Sequence, residues 1–306
     1  MNQIYNIFQE IIPLLLVGFL IGKREINLSK YMINPLISTG IPISVMGLIL
    51  KSGININLIK STIFSLFIIV FTLILINYIP ILKSKFKSKT LQLGSLIGNT
   101  SFLGIPLSIA LLPEESLNST IGYDLGATFF AWTFGPYLLN LDNQNKSRIK
   151  SEFILKQVIR SPAVKGLIGA FIINFLPWSN TIATYLWIPS KIVIYLAIVI
   201  VGIRMGKIYK EKSFHEYNLI KIKDGIILKL LVLPLFSIIT LKLFNVETNT
   251  LSAIVIQSST PTSVSTLLIA ELYNKEQNLA ASMLLWSTLL GIIIIPIWRI
   301  ILLIVN

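Results

Sequence analysis

The sequence has no cysteine and a single histidine, His215, and these two shortages exclude much of the chemistry that proteins perform. Disulfides and thiolate metal sites cannot form without cysteine. His215 lies among lysines in KEKSFHEYNLIKIK, where a solvated loop residue is expected rather than a metal ligand. The sequence therefore predicts no metal site, and serine or metal-dependent catalysis within a membrane would lack its histidine. The protein is not expected to be an enzyme.

Charge is also scarce. Only 13% of the 306 residues are charged, against roughly 25% in ordinary soluble domains, while 54% are hydrophobic and the mean hydropathy is +0.79. Apolar runs of about 20 residues, which is the length that crosses a lipid bilayer, recur along the whole chain. These features predict an all-α integral membrane protein with the lipid bilayer as its surroundings. Ten spans are expected, near residues 4–22, 31–50, 58–79, 91–112, 121–141, 161–177, 188–206, 225–244, 251–270 and 279–303.

Basic residues outnumber acidic residues by 26 to 13, which gives a net charge of +13. They concentrate in alternate loops, such as residues 83–89 and 146–160. Because an excess of Lys and Arg marks cytoplasmic loops, both termini are predicted to lie outside the cell membrane. The charge thus orients the chain, and no nucleic-acid partner is predicted. Lys23 and Arg24 follow the first apolar run instead of preceding it, so that run is expected to be retained as a span.

The longest polar linker, residues 142–152, divides the ten predicted spans into five and five. Two copies of a unit with an odd number of spans insert in opposite orientations. The halves 1–141 and 153–306 are therefore predicted to form an inverted repeat, as in many secondary transporters. The fourth and ninth spans start at corresponding positions of the two halves, and both are interrupted near the middle.

The interruptions read GNTSFLGIPL (98–107) and QSSTPTS (257–263). Proline and polar groups disturb a helix there, and unwound helix ends in a membrane are tolerated only against protein or a water-filled cavity. Half-helix N-termini carry partial positive charge, so a carboxylate is the expected ligand. For any one hydroxyl the alternative is a hydrogen bond within its own helix. The predicted binding residues are Asn99, Thr100, Ser101, Gly104, Pro106, Gln257, Ser259, Thr260, Pro261, Thr262 and Ser265, with Asn34 on the second span.

Within this set, Asn99 is expected to donate its amide to the carboxylate, while Pro106 and Pro261 hold the breaks open. Of the few acidic residues near the spans, Glu10, Asp124 and Glu271 are each expected to lie at a membrane interface. Asp124 is the best candidate for coupling to H+ or Na+, because the small residues of GYDLGATFF allow close packing around it. No other cofactor is predicted.

Two further segments, GFLIGK (18–23) and GIRMGK (202–207), end in Gly-Lys. They have three residues between the glycines and no Ser or Thr after the lysine, so neither is a phosphate-binding loop. Close packing of helices at the glycines is predicted instead.

Several segments resemble the auxin efflux carrier family of membrane transporters. GNTSFLGIPL is similar to the family's Asn-Thr-x-x-x-Gly-x-Pro-Leu element, and residues 257–298 follow the family's C-terminal pattern. LKLLVLPLF, with Pro234, and INPLISTGIPISVMGL, with Pro42, resemble two other spans. The resemblance implies ten spans in two inverted five-helix repeats, with the fourth and ninth crossing at their breaks. It also implies a scaffold of spans 1, 2, 6 and 7, a transport part of spans 3–5 and 8–10, and a homodimer formed through the scaffold.

The residues and the resemblance together predict a secondary active transporter that moves a small organic anion by alternating access. The resemblance suggests a mono- or dicarboxylate such as malate or malonate. Two alternatives stay open, an anion channel and a membrane sensor built on the carrier fold. A channel would need a continuous polar pathway, whereas the polar residues here cluster at one depth, which favours the carrier.

Overall fold

A computed structural model describes residues 11–24, 35–140, 162–212 and 219–305, together with the single residues 9 and 159. Within these ranges every element is helical, apart from one isolated β-bridge. The helices are α1 (Ile12–Arg24), α2 (Ile41–Ser52), α3 (Ile56–Tyr78), α4 (Pro80–Lys85), α5 (Lys89–Leu96), α6 (Ile105–Leu111), α7 (Leu117–Asn140), α8 (Pro162–Asn174), α9 (Ser179–Glu211), α10 (Leu219–Ile227), α11 (Leu233–Leu243), α12 (Thr248–Ser258), α13 (Val264–Leu272) and α14 (Gln277–Val305). Short π-helical segments cover Leu36–Gly40, Thr100–Gly104 and Leu228–Val232, and Glu114–Ser116 is a 3-10 turn.

Four helical stretches are long and apolar enough to cross a membrane, judged by length and composition. They are Ile56–Tyr78, Ser179–Glu211, Leu219–Leu243 and Gln277–Val305. The prediction of an all-α membrane protein is therefore confirmed, while the count of ten spans and the inverted repeat stay predictions. Asn34, Glu10, His215 and the linker 142–152 lie outside the described residues.

Each π-helical segment ends two residues before a proline, namely Pro42, Pro106 or Pro234. A proline has no N–H to donate to the carbonyl four residues earlier, and its ring clashes with that carbonyl. The helix widens at this point, and the Ile105 N–H donates to the carbonyl of Thr100, five residues earlier. Such π turns are frequent at functional sites. In this chain they place residues 100–104 and 228–232 next to the second break, as described below.

Close packing at the two Gly-Lys segments is confirmed, and the segments pack on each other. Gly18 and Gly22 of α1 face Gly202 and Gly206 of α9. A Cβ atom added at Gly18 would lie 2.1 Å from the carbonyl oxygen of Val199, which no real side chain allows. The backbones of α1 and α9 therefore touch directly, as small residues permit between membrane helices. Helix α2 packs against both α8 and α9.

We expect Gly18→Ala to lower the free energy of unfolding by about 1–3 kcal/mol, because the added methyl group forces α1 and α9 apart. Thermal unfolding of the purified protein in detergent measures this change. Gly291→Ala is the matched control, since a Cβ atom there would meet Pro261 at an ordinary 3.5 Å. Equal unfolding temperatures for the two variants would show that the glycine contact does not stabilise the fold.

Helix α7 is held from one side by α3. Gly122 and Gly126, one turn apart, bring α7 against α3, and the Thr62 hydroxyl donates to the carbonyl of Gly122 at 2.9 Å. Asp124 lies two residues from each glycine and so points away from α3. The face that carries Asp124 is thereby turned toward residues 100–101.

Candidate functional site

The interruptions of the predicted fourth and ninth spans lie against each other. Helix α5 ends at Leu96 and is followed by extended backbone at Ile97; helix α12 ends at Ser258, and the chain becomes extended again at Ser263, before α13. The N–H of Asn99 donates to the carbonyl of Pro261 at 2.7 Å, and the N–H of Ser263 donates to the carbonyl of Ile97 at 3.0 Å. Each break therefore supplies hydrogen-bond partners for the backbone of the other, which is what unwound backbone in an apolar environment requires.

Side chains add to this pairing. The Thr262 hydroxyl donates to the carbonyl of Gly94 at 2.8 Å, and the Ser287 hydroxyl accepts from the Thr262 N–H at 2.9 Å. The Thr262 side chain thus joins the second break to α5, and Ser287 joins the same residue to α14. The short segment 259–263 is consequently fixed in position from two neighbouring helices.

Two glycines allow the breaks to approach this closely. A Cβ atom at Gly98 would lie 2.2 Å from the Thr260 hydroxyl oxygen, and one at Gly104 would lie 2.1 Å from Oε1 of Gln257. Any larger residue would collide at both positions. Gly104 and Gln257, both predicted from the sequence as site residues, are therefore in direct contact.

A cavity opens on one side of the paired breaks, with an empty volume of about 510 Å³ that includes its mouth. Its apolar wall includes Trp132 of α7 and Leu268 of α13, and Ile41 of α2 and Pro162 of α8 close it from the other side. The cavity thus lies where the helices of the predicted scaffold meet those of the predicted transport part. Its polar wall consists of Asn99, Thr100, Ser101, Thr128, Ser263 and Ser265.

Asn99 lines this cavity and carries an unpaired hydrogen-bond donor. Its side chain is only 2% exposed, and its Nδ2 has no hydrogen-bond partner in the described part of the chain. Leaving a buried donor unpaired costs about 1–3 kcal/mol. The role predicted for Asn99, donation of its amide to a ligand carboxylate, stays a prediction.

Asp124 is completely buried within the protein, and its expected position at a membrane interface stays a prediction. Its Oδ1 accepts hydrogen bonds from the hydroxyls of Thr100 at 2.5 Å and Ser101 at 2.6 Å. Its Oδ2 is not hydrogen-bonded to any described residue. The carboxyl group therefore stands directly behind two side chains of the cavity wall. Its predicted role in coupling to H+ or Na+ stays a prediction.

Lys229 is a site residue that the sequence reasoning missed. It lies in the π-helical segment before Pro234 and is completely buried. Its Nζ donates to the carbonyl of Ser258 at 2.7 Å, at the C-terminal end of α12, where the helix dipole favours a positive charge. No carboxylate in the described ranges forms a salt bridge with it. A Cβ atom at Gly98 would lie 2.9 Å from this Nζ, so the ammonium group stands just behind the cavity wall.

The signal for Lys229 was present in the sequence. A lysine five residues before Pro234, inside an otherwise apolar span, is costly in a membrane and marks function more often than structure. The apolar pattern around it predicts only a membrane crossing, so a site role for this lysine has to be argued from its charge.

The structure sorts the predicted binding residues into two groups. Asn99, Thr100, Ser101 and Ser265 line the cavity. The others lie at the paired breaks, away from the cavity wall that the described residues form; they are Gly104, Pro106, Gln257, Ser259, Thr260, Pro261 and Thr262.

Within the second group, the alternative of bonding within the same helix holds for two hydroxyls. Ser259 donates to the carbonyl of Ile256 at 2.8 Å, and Thr260 donates to that of Gln257 at 2.7 Å. The amide group of Gln257 is buried without a partner among the described residues. Pro106 lies in α6, seven residues after Asn99, so it accounts for the π turn and not for the break itself.

Apolar helices long enough to cross a membrane, combined with a buried polar site at two paired helix breaks, define a multi-pass membrane protein of the transporter class. A family model described as "Membrane transport protein" matches residues 42–299. The chain belongs to this family, the auxin efflux carriers that it resembles in sequence.

Curated relatives agree with that assignment. An uncharacterized transporter of Methanocaldococcus jannaschii is 26% identical over 222 residues, which cover 71% of this chain and 70% of the relative. An uncharacterized transporter of Methanothermobacter thermautotrophicus is 24% identical over 217 residues, covering 71% and 68% of the two chains. Both names state transport, and neither names a substrate.

Proposed function

We propose that the protein is a secondary active transporter that moves a small organic anion, a mono- or dicarboxylate of about the size of malonate or malate, by alternating access. The observation that supports this proposal is the unpartnered amide of Asn99 on the wall of a polar cavity, beside the paired breaks. A carboxylate oxygen is the natural acceptor for such a donor.

The charges around the cavity favour an anion. Helix α13 begins at Val264, and Ser263 and Ser265 at its N-terminus line the cavity, so the positive end of its dipole faces the ligand. The Lys229 amine lies on the far side of Gly98 and adds positive charge in its protonated form. Both contributions would stabilise a bound carboxylate, and neither would suit a cation.

The position of the cavity suits alternating access. It lies between the paired breaks and the ends of α2 and α8, so a relative movement of these two groups of helices would expose the ligand first to one face and then to the other. The two breaks would move together in such a movement, because the hydrogen bonds between them lie within the predicted transport part. The site residues at the breaks would therefore keep their relative positions.

Transport by the purified protein in liposomes against a panel of mono- and dicarboxylates tests the proposal. We expect saturable uptake and exchange of internal for external substrate. A non-saturating current that is linear in voltage would identify an anion channel, and binding of a carboxylate without any flux would identify a sensor; either result would overturn the proposal.

Coupling to H+ or Na+ is proposed to use Asp124. A proton or a sodium ion at its free Oδ2 would neutralise a buried carboxylate, and the hydroxyls of Thr100 and Ser101 connect that carboxylate to the cavity wall. Binding of the ion and binding of the substrate would then influence each other through the same two side chains.

We expect Asp124→Asn to reduce gradient-driven accumulation of substrate by about tenfold or more, equivalent to about 1.4 kcal/mol of coupling. Substrate exchange without a gradient should persist, because the amide oxygen still accepts from Thr100 and Ser101. Uptake with imposed H+ or Na+ gradients measures the change. Asp224→Asn is the control, since Asp224 is partly exposed and pairs with Lys85 at 3.2 Å. Undiminished accumulation by Asp124→Asn would exclude it as the coupling group.

A further inference from the structure

A second cavity lies at the opposite end of α6 from the paired breaks. Its empty volume is about 580 Å³, counting the opening. The end of α6, the turn after it and the first residues of α7 form one wall, and α9 forms the other. The residues used below are Ser108, Ile109, Glu114, Ser116, Thr120 and Lys191.

Three hydroxyl groups of this wall have no hydrogen-bond partner among the described residues, those of Ser108, Ser116 and Thr120. Their side chains are only 4%, 1% and 0% exposed. A buried hydroxyl without a partner is unfavourable, and native structures contain few of them. Three unpaired hydroxyl groups around one cavity indicate that its occupant accepts hydrogen bonds.

The charges at the mouth indicate an anion. Lys191 lines the cavity, and its Nζ lies 4.7 Å from the ring centroid of Trp187, with Nζ of Lys51 6.0 Å from the same centroid. Glu114 is the acidic residue of the wall, so the two ammonium groups leave the mouth positive. Lysines are rare in the loops predicted to face outside, which makes two of them at one opening a distinguishing feature.

Helix α6 connects this cavity to the paired breaks. Ser101, in the π-helical segment that leads into α6, lines the first cavity, and Ser108 of α6 lines the second, about 10 Å away along the helix axis. A small anion leaving one cavity would therefore meet the other after a short movement along α6.

We propose that the second cavity is a separate binding station for a small carboxylate, with the Ser108, Ser116 and Thr120 hydroxyls as donors and Lys191 as the attracting charge. The ligand class rests on the proposed function. The station takes up the anion before, or releases it after, its stay at the paired breaks.

A single thiol in this cysteine-free chain tests the proposal. Ile109 lines the cavity and is 41% exposed, so Ile109→Cys places a reactive group at its edge. The full-length protein in a neutral detergent is treated with sulfonatoethyl methanethiosulfonate, which is anionic, and with its cationic trimethylammonium analogue. We compare the rate of the anionic reagent with that of the cationic reagent. We expect this ratio to be about fivefold higher at Ile109→Cys than for a free thiol in solution, which is the effect of one nearby unit positive charge. Malonate should slow the reaction by a similar factor.

The same preference is expected at Glu114→Cys, an exposed second label that covers failure of the first to fold. With Ile109→Cys as the label, where Glu114 is kept to balance Lys51, the preference should disappear in Lys191→Gln. Malonate protection should fall in the Ser108→Ala, Thr120→Val double variant. Ile239→Cys on α11, 51% exposed, is the control and should show neither effect. Charge preference that survives Lys191→Gln would overturn the proposal.

The Asn99→Ala background separates this station from the first cavity. We expect malonate to protect Ile109→Cys there as well; protection lost in that background would show that ligand at the breaks merely closes the second cavity, which would overturn the proposal. Protection by added phosphatidylglycerol but not by malonate would identify a lipid headgroup as the occupant and would also overturn it. Protection without any carboxylate transport in liposomes would refute the proposed function and leave the station standing.

Discussion

Asn99→Ala is expected to weaken binding of the transported carboxylate by about ten- to a hundredfold, because a lost hydrogen bond to a charged ligand costs roughly 1.5–3 kcal/mol. The fold should survive, since Nδ2 of Asn99 bonds no other described residue and its backbone N–H still donates to Pro261. Equilibrium binding and initial rates of uptake, measured on protein that stays monodisperse, give the change.

Asn180→Ala is the matched control, because Asn180 is an exposed asparagine at the start of α9 and should tolerate the change. If Asn99→Ala binds and transports like the unaltered protein, the binding site is not at the paired breaks. The unpaired amide would then be a packing feature of α6 and its neighbours.

Lys229→Met should reduce the apparent affinity for the anion by about fifty- to a hundredfold. A carboxylate against Gly98 would lie about 7 Å from the ammonium group, and unit charges at that distance attract by about 2.4 kcal/mol at an effective dielectric constant of 20. Methionine is unbranched and fills a similar space without the charge. In Lys229→Met the Ser258 carbonyl loses its hydrogen-bond donor, which lowers the free energy of unfolding. Removing a charge that was costly to bury raises it, so the two effects on stability oppose each other.

Transport kinetics over a range of substrate concentrations distinguish this effect from partial unfolding, since the loss should appear chiefly in the half-saturating concentration. Lys242→Met serves as the control because Lys242 also donates to a backbone carbonyl, that of Val305 at 2.9 Å, at an exposed position. Unchanged affinity in Lys229→Met would mean that the lysine only caps α12.

The positions of the breaks could be read from the sequence because their causes are local. Proline and runs of Ser, Thr and Asn act on the backbone within a few residues, so Asn99 and the segment 257–263 were identified without knowledge of their surroundings. The glycine spacing in residues 18–22 and 202–206 is likewise a local signal for close packing. That these two segments pack on each other depends on the arrangement of α1 and α9, which no local pattern reports.

The choice among neighbouring hydroxyls could not be made from the sequence. Ser259 and Thr260 bond within their own helix, whereas Ser263 and Ser265, a few residues later, line the cavity. The difference follows from where α12 ends and α13 begins, and from how residues 261–263 pair with residues 97–99 of the other half. Long-range pairing of this kind leaves no mark on the composition of either segment.

The contacts of Asp124 could not be predicted for a related reason. Gly122 and Gly126 turn its face of α7 toward Thr100 and Ser101. Depth along a helix can be estimated from hydropathy, whereas rotation about the helix axis depends on the contact with α3.

The hydrogen bonds that join the two breaks also restrict which insertions and deletions the chain can tolerate. The Asn99 N–H donates to the Pro261 carbonyl, and the Ser263 N–H donates to the Ile97 carbonyl. Both bonds can form only if the two break segments keep their lengths. One residue inserted into either break would shift the half-helix after it out of register with the other break, moving Ser265 relative to the cavity, or Thr100 and Ser101 relative to Asp124. Insertions and deletions should therefore be confined to the loops of this family, and a length change in one break would need a compensating change in the other, some 160 residues away.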